Sequence, residues 1–326
     1  MIITRTPLRI SLGGGGTDLP SYYRRSGGLV ISAAINKYIF IAINQTFVDD
    51  YFLKYSGIER VRRVTDIEHP IIREVLSTHQ IGPSIELVSL ADIPAGTGLG
   101  SSGAFTVGLL RSIHAFKREP ITPQDLAEEA SHIEIDILKR PAGKQDQYIS
   151  AFGGLTCFDF QKDGRVKVSP LAVSDNTLHD LQEHLLMFFT GYSRHSSDVL
   201  TEQRERSEAE DAAMIANLDS VKAIGRSTKE ALEGGDVVGF ATLMNDHWEQ
   251  KKQRSNSMSN SDIDHWYGAA IAAGALGGKL VGAGSGGFLL FYAKDTESVR
   301  QAMTEEGLAE VRFQFDHDGS TVLVRD

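Results

Sequence analysis

The chain has a single cysteine, Cys157, in 326 residues. No intrachain disulfide can form, so the fold must rest on apolar burial, and a reducing compartment suits it. Cys157 stands in an apolar run and reads as a small core residue rather than a nucleophile. No apolar run approaches the roughly 20 residues that span a bilayer. The start, Met1-Ile2-Ile3-Thr4-Arg5-Thr6-Pro7, lacks the form of a signal peptide. A cytoplasmic location without a membrane partner is therefore expected. Positive charge is also short: 33 Lys and Arg stand against 43 Asp and Glu, a net charge of −10. That argues against a general nucleic-acid binder while leaving room for local basic pockets around phosphates. The ten histidines are scattered, with no H-x-x-x-H or Cys/His spacing, so no histidine metal site is expected.

What the chain does have is glycine in clusters. The most informative is Pro94-Ala95-Gly96-Thr97-Gly98-Leu99-Gly100-Ser101-Ser102-Gly103-Ala104. A strand-like run, Ile85 to Leu90, precedes it, and the buried-helix pattern Ala104 to Leu110 follows. Glycines let backbone approach a ligand closely, and Ser101 or Ser102 is expected to cap the helix. Free N–H groups and the helix dipole then converge on one spot, an anion site suited to phosphate. Gly98-Leu99-Gly100-Ser101-Ser102-Gly103 fits G-x-G-x-x-G, but a dinucleotide fold needs a second parallel strand soon after the helix. Here Lys117-Arg118-Glu119-Pro120 and a second helix follow instead, so a dinucleotide oxidoreductase fails on context. Gly103-Ala104-Phe105 is not the Gly-Lys-Ser/Thr of a Walker A loop, and Gly278-Lys279-Leu280 lacks its hydroxyl.

The segment is similar to the P-x-x-x-G-L-G-S-S-x-A nucleotide loop of the GHMP kinases, which include galactokinase, homoserine kinase, mevalonate kinase and phosphomevalonate kinase. Two further segments resemble that family's other motifs, in the right order over nearly the whole chain. One is Thr6 to Asp18, with the turn Gly13-Gly14-Gly15-Gly16-Thr17-Asp18; the other is Lys279 to Gly287. Within the family the chain is most similar to the heptose-phosphate kinases, through the four-glycine turn, Gly143-Lys144-Gln145-Asp146-Gln147-Tyr148 and Thr190-Gly191-Tyr192-Ser193-Arg194. The resemblance implies an α+β fold of two domains, an N-terminal ribosomal-protein-S5-like domain and a C-terminal ferredoxin-like α/β-plait domain. It leaves a homodimer open as the assembly.

Elements are read from pattern. Strands are expected at 2–12, 29–35, 38–43, 85–90 and from 153, and a short helix at 70–78. Thr122-Pro123-Gln124-Asp125 is a helix start, and Pro141 stops that helix. After about residue 170 the order becomes strand, long acidic helix, two helices, strand, helix, strand, which divides the chain into 1–170 and 171–326. Ser255 to Ser261 reads as a loop over a cleft or as a plain linker.

Phosphoryl transfer needs positioning, charge neutralisation and often a base. By resemblance, Asp146 is the base, Arg9 pairs with it or with the transferring group, and Lys144 lowers its pKa. Pro94, Gly96, Gly98, Leu99, Gly100, Ser101, Ser102 and Gly103 are assigned to the nucleotide. Mg2+ takes few, hard oxygen ligands; Ser102 and Glu134 are the candidates, with Glu128, Glu129 and Asp136 on the same helix as alternatives. The acceptor is assigned to Gly14, Gly15, Gly16, Thr17, Asp18, Lys144, Gln145, Arg194, Gly284 and Gly286. Asp18 could instead cap the next helix. Arg194, with Lys37 and Lys144 as rivals, is expected to hold a sugar phosphate. The function implied is ATP-dependent phosphorylation of the anomeric hydroxyl of a heptose 7-phosphate to the 1,7-bisphosphate, a step toward nucleotide-activated heptose for surface polysaccharide. A kinase of plain fucose or galactose, or a non-catalytic sugar sensor, are the alternatives; retention of Asp146, Ser102 and Glu134 together speaks against the sensor.

Overall fold

The structure is a computed structural model and describes residues 1–191 and 196–325. Arg194, with its neighbours Tyr192 and Ser193, lies outside the described residues.

Two sheets organise the chain. The first is built on β1 (Ile2–Gly13) and β2 (Gly28–Gln45), antiparallel to each other. β2 is one strand of 18 residues where the sequence suggested two. Leu8 pairs with Ile35 and Pro7 with Tyr38, so Asn36 and Lys37 bulge outward between the two halves. That bulge broke the apolar alternation without breaking the strand. It also holds Lys37, an expected rival for the acceptor phosphate, away from the cavity described below. The other strands are β3 (Tyr51–Lys54), β4 (Ile58–Val61), β5 (Ile85–Ala91), β6 (Leu155–Phe160) and β7 (Val166–Pro170), joined by a late strand, β12 (Thr321–Arg325). The path runs β12-β1-β2-β5-β3-β4, with β6 paired to the other half of β2 and to β7.

The helices of this part are α1 (Pro20–Ser26), α2 (Pro70–Thr78), α3 (Ser101–Lys117), α4 (Pro123–Ser131) and α5 (Gln145–Phe152). α3 presses on β1 so closely that a Cβ on Gly108 would sit 2.7 Å from Thr6 Oγ1. Thr122 caps α4 as its sequence predicts, accepting from the Asp125 N–H. α4 then loosens into a π-turn over His132–Ile137 before the chain reaches α5.

The second sheet, ordered β11-β8-β10-β9, uses β8 (Leu185–Gly191), β9 (Gly277–Val281), β10 (Gly287–Tyr292) and β11 (Ala309–Glu310). Around it lie α6 (Asp175–His184), α7 (Ser196–Glu208), α9 (Val237–Lys252), α10 (Ser261–Ala272) and α11 (Thr296–Glu305), while α8 (Ala212–Glu233) packs between α9 and the β1–β2 pair of the first sheet. One apolar core runs from Leu8, Ile10 and Val30 of the first sheet to Val281, Phe288 and Leu290 of the second. The division near residue 170 falls between β7 and α6, and we propose that the second unit ends before Thr321, because β12 returns to the first sheet beside β1.

Candidate active site

Between the two parts lies a cavity of about 400 Å³. Its first wall is the glycine loop between β5 and α3. Gly100 is the N-cap of α3, in the left-handed region at φ +76°, and no side chain caps the helix. The expected serine cap is thus corrected: Ser101 and Ser102 are the first two helical residues, and the first turn keeps its N–H groups for a ligand. Gly98 meets the third glycine segment, since a Cβ on Gly282 would lie 2.5 Å from the Gly98 Cα. Gly96, Gly98, Gly100, Ser101, Ser102 and Gly103 line the cavity. Two of the residues assigned to the nucleotide do not. Leu99 is buried and its carbonyl accepts the Arg9 N–H at 3.0 Å, while the Pro94 carbonyl takes the Thr97 hydroxyl at 3.0 Å. Both shape the loop from behind.

Arg9 and Asp146 meet in front of this loop. Arg9 Nε and Nη2 both lie 2.7 Å from Asp146 Oδ1, and Arg9 Nη1 donates to the Gly98 carbonyl at 2.6 Å. Asp146 stands in the first turn of α5, where the helix dipole favours a carboxylate. Arg9 thus pairs with Asp146 as expected, whereas Lys144, expected to act on the same carboxylate, is turned away: its Nζ reaches Glu128 at 2.7 Å and the Gly164 carbonyl at 3.1 Å. Lys144 lines a separate cavity with Glu128 and Asp136, so its acceptor assignment is withdrawn.

Glu134 lies in the π-turn, 1% exposed. It accepts from Ser102 Oγ at 2.6 Å, Thr106 Oγ1 at 2.9 Å and Gln147 Nε2 at 2.9 Å. Arg140 Nη1 lies 2.7 Å from Ser102 Oγ and 3.4 Å from Glu134 Oε2. The hard oxygens of Ser102 and Glu134, side by side at the phosphate loop with a cation already drawn to them, fit a magnesium site. Glu128, Glu129 and Asp136 face elsewhere.

The four-glycine turn forms the opposite wall. Gly15, Gly16, Asp18 and Gln145 line the cavity; Gly14 and Thr17 do not. A Cβ on Gly14 would fall 1.9 Å from the Leu29 carbonyl oxygen, and Thr17 Oγ1 is tied to Gly14 and Leu29. These two residues make the turn from behind the cavity wall. Asp18 does not cap α1, whose N-cap is Leu19. It accepts instead from the Gly16 and Gln145 N–H groups, both at 3.1 Å. Burial, with repulsion from Asp146, raises its pKa despite those hydrogen bonds. In the third glycine segment Gly282 and Ala283 reach the cavity, not Gly284 and Gly286. A Cβ on Gly284 would meet Met258 Sδ at 2.5 Å, because the serine-rich loop packs on that segment.

The lining residues not foreseen as part of the site include His247 and Lys251 on α9, Arg254 just beyond it, and Lys279 on β9. All four are nearly inaccessible, at 2%, 6%, 4% and 2% exposure. Desolvation lowers Arg254 to about 10 against the opposing pull of Asp18, and desolvation with repulsion from neighbouring cations lowers Lys251 to about 7 and pushes Lys279 and His247 far down. The first three stand at i, i+4 and i+7, one helical face, a spacing legible in the sequence. The structure also corrects the view of scattered histidines. His79 and His114 converge on Glu129, with one ligand atom of each residue within 4.8 Å of the others.

A glycine nest at a helix N-terminus, a carboxylate held by an arginine and a hydroxyl–carboxylate pair around one cavity define a phosphotransferase of small molecules. The description "GHMP kinases N terminal domain" matches residues 61–154 and "GHMP kinases C terminal" matches residues 228–308. A D-glycero-alpha-D-manno-heptose 7-phosphate kinase of Campylobacter jejuni is 29% identical over 98% of this chain and 97% of its own. A crystal structure titled as a D-glycero-D-manno-heptose 1-phosphate kinase from Bacteroides thetaiotaomicron superposes with a TM-score of 0.82 at 27% identity, covering 99% of each chain. An L-fucokinase/L-fucose-1-P guanylyltransferase of Bacteroides fragilis is 27% identical over 92% of this chain and 36% of its own length. The chain belongs to the GHMP kinases, a family that uses ATP as phosphate donor, and it has their two-domain α+β fold. No helix among the described residues is long and apolar enough to cross a membrane.

Proposed function

We propose that the chain is an ATP-dependent kinase that phosphorylates the anomeric hydroxyl of D-glycero-D-manno-heptose 7-phosphate, giving the 1,7-bisphosphate, in the cytoplasm where ATP is supplied. The observation that carries it is that Arg9–Asp146 and Ser102–Glu134 open onto the same cavity as the glycine nest. The nest and the first turn of α3 would receive the nucleotide phosphates. Ser102 and Glu134 would hold Mg2+, which neutralises charge on those phosphates when bound.

Asp146 Oδ1 is occupied by Arg9, which leaves Oδ2 to accept the proton of the acceptor hydroxyl. The anomeric hydroxyl oxygen of the acceptor attacks the γ-phosphorus, the bond to the bridging oxygen of ADP breaks, and the hydroxyl proton moves to Asp146 Oδ2. An anomeric hydroxyl is more acidic than an ordinary alcohol, which suits a carboxylate as base. Arg9 fixes Asp146 and presents positive charge to the transferring group. Gly15, Gly16, Asp18 and Gln145 form the acceptor's wall.

The test is ATP-dependent phosphorylation of a panel of sugars and sugar phosphates, with products read by mass spectrometry and the new phosphate located by ³¹P NMR. The 1,7-bisphosphate is the expected product. Preferential turnover of free fucose or galactose would replace this reading with the plain sugar kinase.

A further inference from the structure

Among the described residues, five cationic side chains line the cavity, Arg9, Arg140, Lys251, Arg254 and Lys279, against three carboxylates, Asp18, Glu134 and Asp146. Asp146 answers Arg9 and Glu134 answers Arg140. Asp18 is the acid whose field Arg254 feels. Lys251 and Lys279 are left with uncharged partners. Lys251 Nζ donates to the Leu280 and Gly282 carbonyls at 3.0 and 2.5 Å. Lys279 Nζ lies 2.7 Å from His247 Nδ1 and 3.4 Å from the Leu12 carbonyl. The excess is two basic groups, removed from water, whose protonated forms have no counter-charge here, in a chain of net charge −10. Burying cations without a counter-charge is costly, and such a cluster in a cleft is the mark of a site completed by an anion.

The polar atoms agree in number and kind. Arg254 Nη2, His247 Nε2 and Ser11 Oγ are buried without a hydrogen-bond partner, and all three residues line the cavity. Lys279 can donate to His247 Nδ1, which places the imidazole proton on Nε2. The open groups are then donors throughout, suited to a ligand that only accepts. A phosphate monoester is such a ligand and carries about −1.5 to −2 charges near neutral pH.

Position decides which phosphate. The nucleotide has the nest and α3. The cation cluster adjoins the other wall: Arg254 Nη1 lies 2.4 Å from where a Cβ on Gly16 would sit, Lys279 points to Leu12, and His247 stands beside the Gly15 backbone. Gln203 of α7 closes the same corner by donating to the Gly16 carbonyl at 2.9 Å. We infer that Arg254, Lys279 and His247 form the seat of a phosphate monoester that the acceptor already carries, with Lys251 adding charge at its edge. This rests on the sugar-phosphate kinase reading and moves the phosphate anchor from Arg194 to two residues outside the three motifs, His247 and Arg254, and to Lys279 at the start of the third.

The test is calorimetric binding of D-glycero-D-manno-heptose 7-phosphate and of the phosphate-free heptose to the full chain, without nucleotide. Wild type is expected to prefer the phosphorylated sugar by 10-fold or more, the scale of one charge-assisted contact or better. Arg254→Gln and Lys279→Met should each cut that preference about 10- to 100-fold, with ATP affinity unchanged, and Arg254→Lys should restore part of it. Circular dichroism identifies any variant that does not fold; the other variant and a titration of wild type with inorganic phosphate as competitor then carry the test. Equal binding of the two sugars by wild type, or an intact preference in either folded charge-removing variant, overturns the inference. Charge-dependent binding of the 7-phosphate without its phosphorylation by ATP would instead uphold the seat and overturn the proposed reaction.

Discussion

Gly103→Ala sets two physical effects against each other. Gly103 is in the first turn of α3, with no positive φ, so alanine has no backbone objection there and gains about 1 kcal/mol in helix propensity over glycine. The added Cβ, however, would lie 2.6 Å from Asp146 Cβ and 3.0 Å from both the Asp146 carbonyl carbon and the Gln147 nitrogen. Ordinary carbon contacts need about 3.5 Å or more, so α5 must retreat by roughly 1 Å. Overpacking of this kind costs about 1–3 kcal/mol, because backbone rather than a flexible side chain has to move. The net expectation is destabilisation by about 0–2 kcal/mol, a fall in Tm of up to about 3 °C for a chain of this size. The displaced group is the proposed base, and a misplacement of about 1 Å costs roughly 10²-fold in rate. Thermal melting and steady-state kinetics with ATP and the heptose phosphate check both numbers, with kcat falling much more than ATP affinity. A variant that melts at or above wild type with an unchanged kcat would refute the reasoning.

Asp146→Asn keeps an oxygen for Arg9 but removes the base, so kcat should fall by about 10²–10⁴-fold while calorimetry finds ATP binding intact. Activity should vanish with EDTA and return with magnesium. Glu134→Gln should raise the magnesium needed for half-maximal rate, and an unchanged titration would move the metal carboxylate elsewhere. Burial acts to raise the Glu129 pKa, but hydrogen bonds from His114 and His79 and their charges outweigh it and hold it near 2 against an ordinary 4.5. Its contribution to stability is thus fully present above about pH 4.5 and lost as pH falls toward 2. Urea melts of wild type and Glu129→Gln should differ more at pH 6 than at pH 3, and a constant gap would remove the histidine–carboxylate cluster from acid stability.

The glycine nest was legible because its constraints are local: Gly100 sits at a helix entrance in a conformation that side chains disfavour. Thr122 and the strand at 85–91 were legible for the same reason. Lys144 misled through adjacency. It precedes Asp146 by two positions, but two steps at the start of a helix turn a side chain by about 200°, toward Glu128 instead of the cleft. The serine cap was misplaced by one position, because Gly100 itself takes the capping place. Lys251, Arg254 and Lys279 were invisible for a different reason. Basic residues read by default as solvated surface, and only the packing of α9 and β9 against the glycine turn buries them. Their helical spacing with His247 was a signal, but it gained meaning only once Lys279, 25 residues beyond Arg254, arrived beside it.

The return of β12 to the side of β1 governs how the cleft can move. The chain passes between the two sheets twice, once after Pro170 and again between Glu310 and Thr321. The second passage is pinned midway, where Phe315 bridges Ile35 and Asp316 accepts from the Tyr38 hydroxyl at 2.9 Å. A body held by one strap can swing in any direction; one held by two can turn only about the line that joins them. Any relative movement of the two sheets must therefore bend both straps, and the pinned one ties the second sheet to the bulge of β2.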